Sequence, residues 1–239
     1  VNASGVIVSA AIDEPRIDYT GGGCGVALIE AQATNNINYS EDLGNSNWTK
    51  NNSVVTINSI TSPDGTTNAS LVVGNSASQT GTYIRVNATS ATSSGSTYTL
   101  SAYVKPKGNS EFLKVWARNT SASSVVFNLV TGTTNSPSIS TIDAVNNGWF
   151  KVTTTGVLSG ASVAPYFYVY YSSSENEGFY IWGTQIEEGA NASSYIPTNG
   201  TTVTKVADIC QVTTPTGVTS ITETVSGVDT VITTIPTTY

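Results

Sequence analysis

The chain has 239 residues with 16 acidic and 9 basic side chains, a formal net charge of −7 and only 10% charged residues, so Ser, Thr, Asn and Gly supply most of its polarity. No basic run occurs, which speaks against nucleic acid as a partner because phosphate binding needs clustered Lys and Arg. The absence of histidine removes Ser-His-Asp, Cys-His and His-metal chemistry, and no apolar stretch approaches the roughly 20 residues of a membrane span.

Residues 1–36 hold short apolar patches, a Gly21-Gly22-Gly23 turn and a short strand over Gly25 to Glu30, and are expected to form a connecting arm. From residue 37 to 198, runs with period-two alternation are separated by Asn, Gly, Ser and Pro clusters, the pattern of a β-sandwich or barrel. In Thr97 to Lys105 the residues Tyr98, Leu100, Ala102 and Val104 share a core face, opposite Thr99, Ser101, Tyr103 and Lys105. In Glu111 to Arg118 the residues Leu113, Val115 and Ala117 face inward, and Phe112, Lys114, Trp116 and Arg118 face outward. Further strands are expected at Val125 to Val130, Trp149 to Thr154, Tyr166 to Tyr171 and Gly178 to Ile186, with turns at Pro63-Asp64-Gly65 and Asn146-Asn147-Gly148. Residues 199–239 turn Thr- and Val-rich, and Thr219 to Val225 and Val228 to Ile235 flank Ser226-Gly227 as a β-hairpin extension. With no methionine, the chain reads as processed or as a piece of a longer polypeptide.

A series of landmarks runs in order along residues 15–209: Pro15-Arg16-Ile17-Asp18-Tyr19, Asn38-Tyr39-Ser40-Glu41-Asp42 with Trp48, Pro63-Asp64-Gly65-Thr66, Tyr98 to Lys105, Gly148-Trp149-Phe150, Tyr180 to Glu187 and Ser194-Tyr195-Ile196-Pro197-Thr198. In this order they resemble the galactose-binding-like jelly-roll modules of phage tail and fibre proteins, relatives of carbohydrate-binding modules. The resemblance implies an all-β jelly-roll sandwich on a viral adhesion device, trimeric, among other virion proteins and bound to host cell-surface polysaccharide. The expected function is that of a non-catalytic fibre, spike or tail-associated protein at the virion surface. Two other settings are a structural decoration or connector protein and a carbohydrate-binding module of a bacterial secreted or surface protein.

Sandwiches bind sugars through aromatic ring faces with amides and charges nearby. If their strands are neighbours, Tyr103, Trp116, Arg118, Tyr166, Tyr168 and Tyr170 make one outward patch of the residue types that dominate interfaces. The alternative is a structural role, with some of this face covered by the arm or by another subunit. Trp48, Trp149 and Trp182 read as core. Glu41-Asp42 and Glu187-Glu188 are adjacent acids; neighbouring strand residues point apart, which disfavours catalysis, and a structural calcium ion on hard oxygen ligands is an alternative. Cys24 and Cys210 leave open one disulfide between the flanks or two unpaired, partly buried thiols.

Overall fold

The computed structural model describes residues 1–10, 14–19, 25–75, 81–88, 94–108, 110–169, 178–208, 221–225 and 228–232. Cys24, Cys210, Tyr170 and the Gly21-Gly22-Gly23 and Ser226-Gly227 turns lie outside the described residues. Val1–Asp208 form one compact unit and Ile209–Tyr239 a second.

In the first unit, β1 (Ile17–Asp18), β2 (Val26–Ala27) and β3 (Ala33–Asn35) precede a run of β4 (Thr49–Asn51), β5 (Ser53–Ile60), β6 (Ala69–Gly74), β7 (Tyr83–Arg85) and β8 (Thr97–Pro106). There follow β9 (Phe112–Arg118), β10 (Val125–Asn128), β11 (Thr133–Thr134), β12 (Ser140–Val145), a 3-10 turn at Asn146–Gly148 and β13 (Trp149–Val157). The unit closes with β14 (Ala164–Val169), β15 (Gly178–Glu188) and β16 (Val203–Lys205). In the second unit β17 (Ile221–Val225) pairs antiparallel with β18 (Val228–Ile232).

The result is a jelly-roll β-sandwich. One six-stranded sheet runs β11-β10-β9-β14-β7-β4 and the other β12-β13-β8-β15-β6-β5, with antiparallel pairing throughout. The core forms as the alternation demands. Tyr98, Leu100, Ala102 and Val104 of β8 meet Leu113, Val115 and Ala117 of β9, Phe127 of β10 and Phe167 of β14 in one buried cluster. Trp48 plugs its end, its ring 6.4 Å from Phe167 and its Nε1 donating to the Tyr39 carbonyl at 2.9 Å. Strands β5 and β12 escaped the sequence reading because each is a half-exposed edge strand whose polar residues blur the alternation.

β15 carries one extra residue against β8: Trp182 pairs with Tyr103 and Gln185 with Ser101. Without that bulge Ile181 and Ile186, five positions apart, would point to opposite faces; with it both enter the core. Gly183 makes the bulge. Its φ is +61°, and a Cβ there would sit 3.1 Å from the Tyr103 ring.

The outer face of the β8–β15 sheet is closed by the chain itself. Thr99, Ser101, Tyr103, Trp149, Trp182, Gln185 and Glu187 are all buried on it. Ile7 of the arm and Tyr195 pack on the cluster of Ala69, Tyr103, Trp149 and Trp182, with the Tyr195 ring 4.6 Å from that of Trp182. Tyr103 takes the outer side of its sheet as its alternation requires, but its expected place in an exposed ligand patch is corrected: it is 7% exposed, because the arm and the closing segment lie over it.

Buried amides fasten this cover. Asn35 Nδ2 donates to the Thr184 and Ile196 carbonyls at 3.1 and 2.9 Å, while its Oδ1 accepts from the Ile37 N–H at 3.1 Å. Gln185 Oε1 accepts from the Ile196 N–H at 2.8 Å, and its Nε2 donates to Glu187 Oε1, which also accepts from the Ser193 N–H. The Ser194-to-Thr198 segment is thus a strap whose backbone is held mostly by side chains, with a backbone bond from the Ser40 N–H to the Thr198 carbonyl at its end.

An ion network holds the arm beside it. Arg16 bonds Glu30 at 2.9 Å and also Asp208; Lys205 lies 3.1 Å from Glu30, whose Oε1 accepts the Ser194 N–H at 2.7 Å. Burial alone would raise the Glu30 carboxyl, but the bonds from Arg16, Ser194 and Lys205 outweigh it and hold the group below the ordinary carboxylate value. The Glu30 N–H and Arg16 hold Asp208 low as well.

Two outcomes follow from this construction. Asn35→Ala leaves buried carbonyls and an N–H without partners and is expected to destabilise the fold by about 3 kcal/mol in urea unfolding, against under about 0.5 kcal/mol for exposed Thr67→Ala. Glu30 and Asp208 are depressed, so their stabilising contribution is present above the unfolded carboxylate pKa of roughly 4 and lost as pH falls through the folded values. Limited proteolysis is accordingly expected to cut the arm faster at acidic than at neutral pH, with the difference abolished in Arg16→Ala.

Candidate functional site

The outer face of the other sheet is built differently. β14 lies between β9 and β7, and its register sets Tyr166 opposite both Trp116 and Arg85, and Tyr168 opposite both Lys114 and Tyr83. Arg118 stands one step further, opposite Ala164. Because alternate strand residues share a face, three aromatic residues of adjacent strands and one more from β9 meet side by side.

Tyr166 is the centre. Its ring centroid is 5.0 Å from Tyr83, 5.7 Å from Tyr168 in a stacked pair and 5.9 Å from Trp116. Tyr83 meets Tyr168 edge-on at 5.3 Å. Cations roof the rings: Arg85 lies 5.7 Å over Tyr166, Lys114 5.0 Å over Tyr168, and Arg118 5.7 Å over Trp116 and 5.9 Å over Tyr166. Arg118 Nη1 also donates to the Tyr166 hydroxyl at 3.0 Å, a bond that pushes the guanidinium further up and keeps it charged. Burial, with Tyr166 and Tyr83 alongside, pushes the Tyr168 phenol up, so it is neutral at physiological pH.

Exposure separates the roles. Tyr166 is 5% exposed, so it is a scaffold under its neighbours. Tyr83, Arg85, Lys114, Trp116 and Tyr168 are half-buried and Arg118 is exposed, and these form the surface a ligand would touch.

Of the residues singled out by sequence, the structure brings Trp116, Arg118, Tyr166 and Tyr168 together. Tyr103 is not among them; it belongs to the opposite sheet. Tyr83 and Arg85 were missed. Their strand has three residues, too few to display an alternation, and only the pairing with β14 places them.

The acidic pairs turn to structural ends. Glu187 is buried against Gln185, whereas Glu188 is exposed and faces the Tyr98 hydroxyl at 3.4 Å. Glu41 accepts from the Tyr195 hydroxyl and from Asn68 Nδ2, both at 2.9 Å; burial, reinforced by the charge of Asp64, raises its carboxyl. Asp64 loses hydration but is pulled low by Ser62 and Thr66, whose donors close the Pro63-Asp64-Gly65 turn. Among the described residues no group of three or more Asp, Glu, Cys or His side chains converges as metal ligands would.

No protein-family model and no curated protein matches the chain. Solved structures do. The CBM22-1–GH10 modules of Clostridium thermocellum endo-1,4-β-D-xylanase 10B, complexed with xylohexaose, are 16% identical over 68% of this chain and 29% of that one, with a TM-score of 0.39. The CBM22-1 xylan-binding domain of Paenibacillus barcinonensis Xyn10C is 13% identical over 67% of this chain and 94% of that one, at 0.38. The enzymatically active domain of bacteriophage CBA120 tailspike protein 4 is 16% identical over 65% of this chain and 21% of that one, at 0.40.

The division between scaffold and surface is measurable. Tyr166→Ala removes a buried ring and is expected to cost about 3 kcal/mol in urea unfolding, whereas Trp116→Ala, half-buried, is expected to cost about 1 kcal/mol.

Proposed function

We propose that this chain is a non-catalytic glycan-binding module whose site is the outer face of β7, β9 and β14. The observation that carries the reading is the contiguous row of Tyr83, Trp116, Tyr166 and Tyr168 with Arg85, Lys114 and Arg118 on the one sandwich face that the described residues leave uncovered. Such a face offers apolar contact area to a sugar's C–H patches and donors to its hydroxyls. The chain carries it as a binding module of a bacterial secreted or surface protein, or, on the ordered landmarks from Pro15 to Thr198, as the host-attachment module of an oligomeric phage fibre, spike or tail protein exposed on the virion. A binding role without turnover suits the acids described above, since Glu41, Asp64 and Glu187 all accept hydrogen bonds that hold turns and straps.

The test is affinity electrophoresis through gels carrying different polysaccharides. At least one polymer is expected to retard the protein, Trp116→Ala and Tyr168→Ala to release it, and no reducing ends to appear. Retardation by none, or retention that both variants leave intact, contradicts the proposal.

A further inference from the structure

The cations on this face specify the ligand further. The whole chain has 9 Lys and Arg against 16 Asp and Glu. Three of those cations, Arg85 on β7 and Lys114 and Arg118 on β9, stand on a single sheet face, on the two strands that flank β14. Among the described residues, neither Arg85 nor Arg118 takes part in a salt bridge. Arg85 reaches the Asn87 carboxamide oxygen at 3.2 Å and Arg118 the Tyr166 hydroxyl at 3.0 Å, both neutral acceptors. Two guanidiniums without a carboxylate partner among the described residues, on an otherwise acidic protein, are poised for an anion from outside.

The stacking sharpens this. A neutral sugar needs bare ring faces, but here Arg85 and Arg118 share the space over Tyr166, Arg118 lies over Trp116 and Lys114 over Tyr168. A ligand entering from solvent meets charged N–H edges before it meets rings. A guanidinium carries several N–H donors in a planar fork; the bonds to Asn87 and Tyr166 engage Nη1 of each, and the other donors suit a carboxylate or sulfate. Lys114 and Arg118 are four residues apart on β9, on the order of 13 Å along the strand, longer than one pyranose. The spread fits a chain of repeated charges rather than a single small anion.

We infer that the ligand is an acidic polysaccharide, a polymer whose sugars bear carboxylate or sulfate groups. This rests on the glycan-binding reading given under Proposed function and narrows it.

The probes are polygalacturonate for carboxylate, dextran sulfate for sulfate, xylan as a neutral polymer, and duplex DNA as a polyanion without the sugar surface. Binding is measured by thermophoresis on the full chain at about 50 and about 500 mM NaCl, where screening shortens the reach of charges severalfold. At least one of the two acidic polysaccharides is expected to bind at least tenfold tighter than xylan, with the stronger identifying the anionic group. That affinity is expected to fall at least tenfold at high salt, and again in the Arg85→Gln/Arg118→Gln double variant, whose melting temperature confirms folding. Xylan binding as tightly as the acidic polymers, untouched by salt or by the double variant, overturns this inference and leaves the glycan-binding proposal standing. DNA binding as well as the acidic polysaccharides also overturns it, in favour of an unselective polyanion surface. Binding of none of these probes overturns this inference, and the polysaccharide gels described under Proposed function then decide whether the glycan-binding proposal stands.

Discussion

An antiparallel sandwich has two outer faces, and what each meets decides what the protein can do. Here the strap of residues 194–198 and the N-terminal arm close one of them through side-chain clamps: Asn35 on the Thr184 and Ile196 carbonyls, Gln185 on the Ile196 N–H, and the Tyr195 hydroxyl with Glu41 and Ser40. The Asn35 and Gln185 bonds are buried, so each lost partner would leave a desolvated polar group behind, which makes the cover an integral layer of the fold. Around it the sheet accommodates Trp149, Trp182 and Tyr103 as a second, smaller core.

Once that face is closed, the aromatic residues of the opposite sheet acquire their meaning. They are gathered by register alone: β14 sits between β9 and β7, and a shift of one residue would send Tyr166 and Tyr168 into the core and Phe167 and Val169 to the surface. The core contacts of Phe167 and Val169 therefore hold the outer row in place. Burial of Tyr166 beneath its neighbours adds rigidity, because its ring braces Tyr83, Tyr168 and Trp116 at once and anchors Arg118 through its hydroxyl. Pre-ordering of that kind lowers the entropy lost when a ligand binds.

How much of this was legible in the sequence depended on length and burial. The period-two patterns of Tyr98 to Val104 and Leu113 to Ala117 read correctly because both strands are long, central and clean in alternation. The same alternation set Trp116, Arg118, Tyr166 and Tyr168 on outward faces. It set Tyr103 on the outer side of its own sheet as well, but alternation tells which side of a sheet a residue takes and nothing of which sheet it joins or what lies on that side. Tyr83 and Arg85 needed the pairing of a three-residue strand, which is tertiary information. The strap carried a recognisable motif in Ser194 to Thr198, but its partners Asn35 and Gln185 lie far away in sequence and only the fold joins them.

The measurement closest to the central claim, that one sandwich face is built to bind and the other to be covered, is amide hydrogen exchange of the full chain with and without a saturating polysaccharide. The account predicts added protection confined to residues 83–85, 112–118 and 164–168, with β8, β13 and the 194–198 strap unchanged. Protection appearing instead over the strap, Tyr103 and Trp182, with β9 and β14 unaffected, would contradict it.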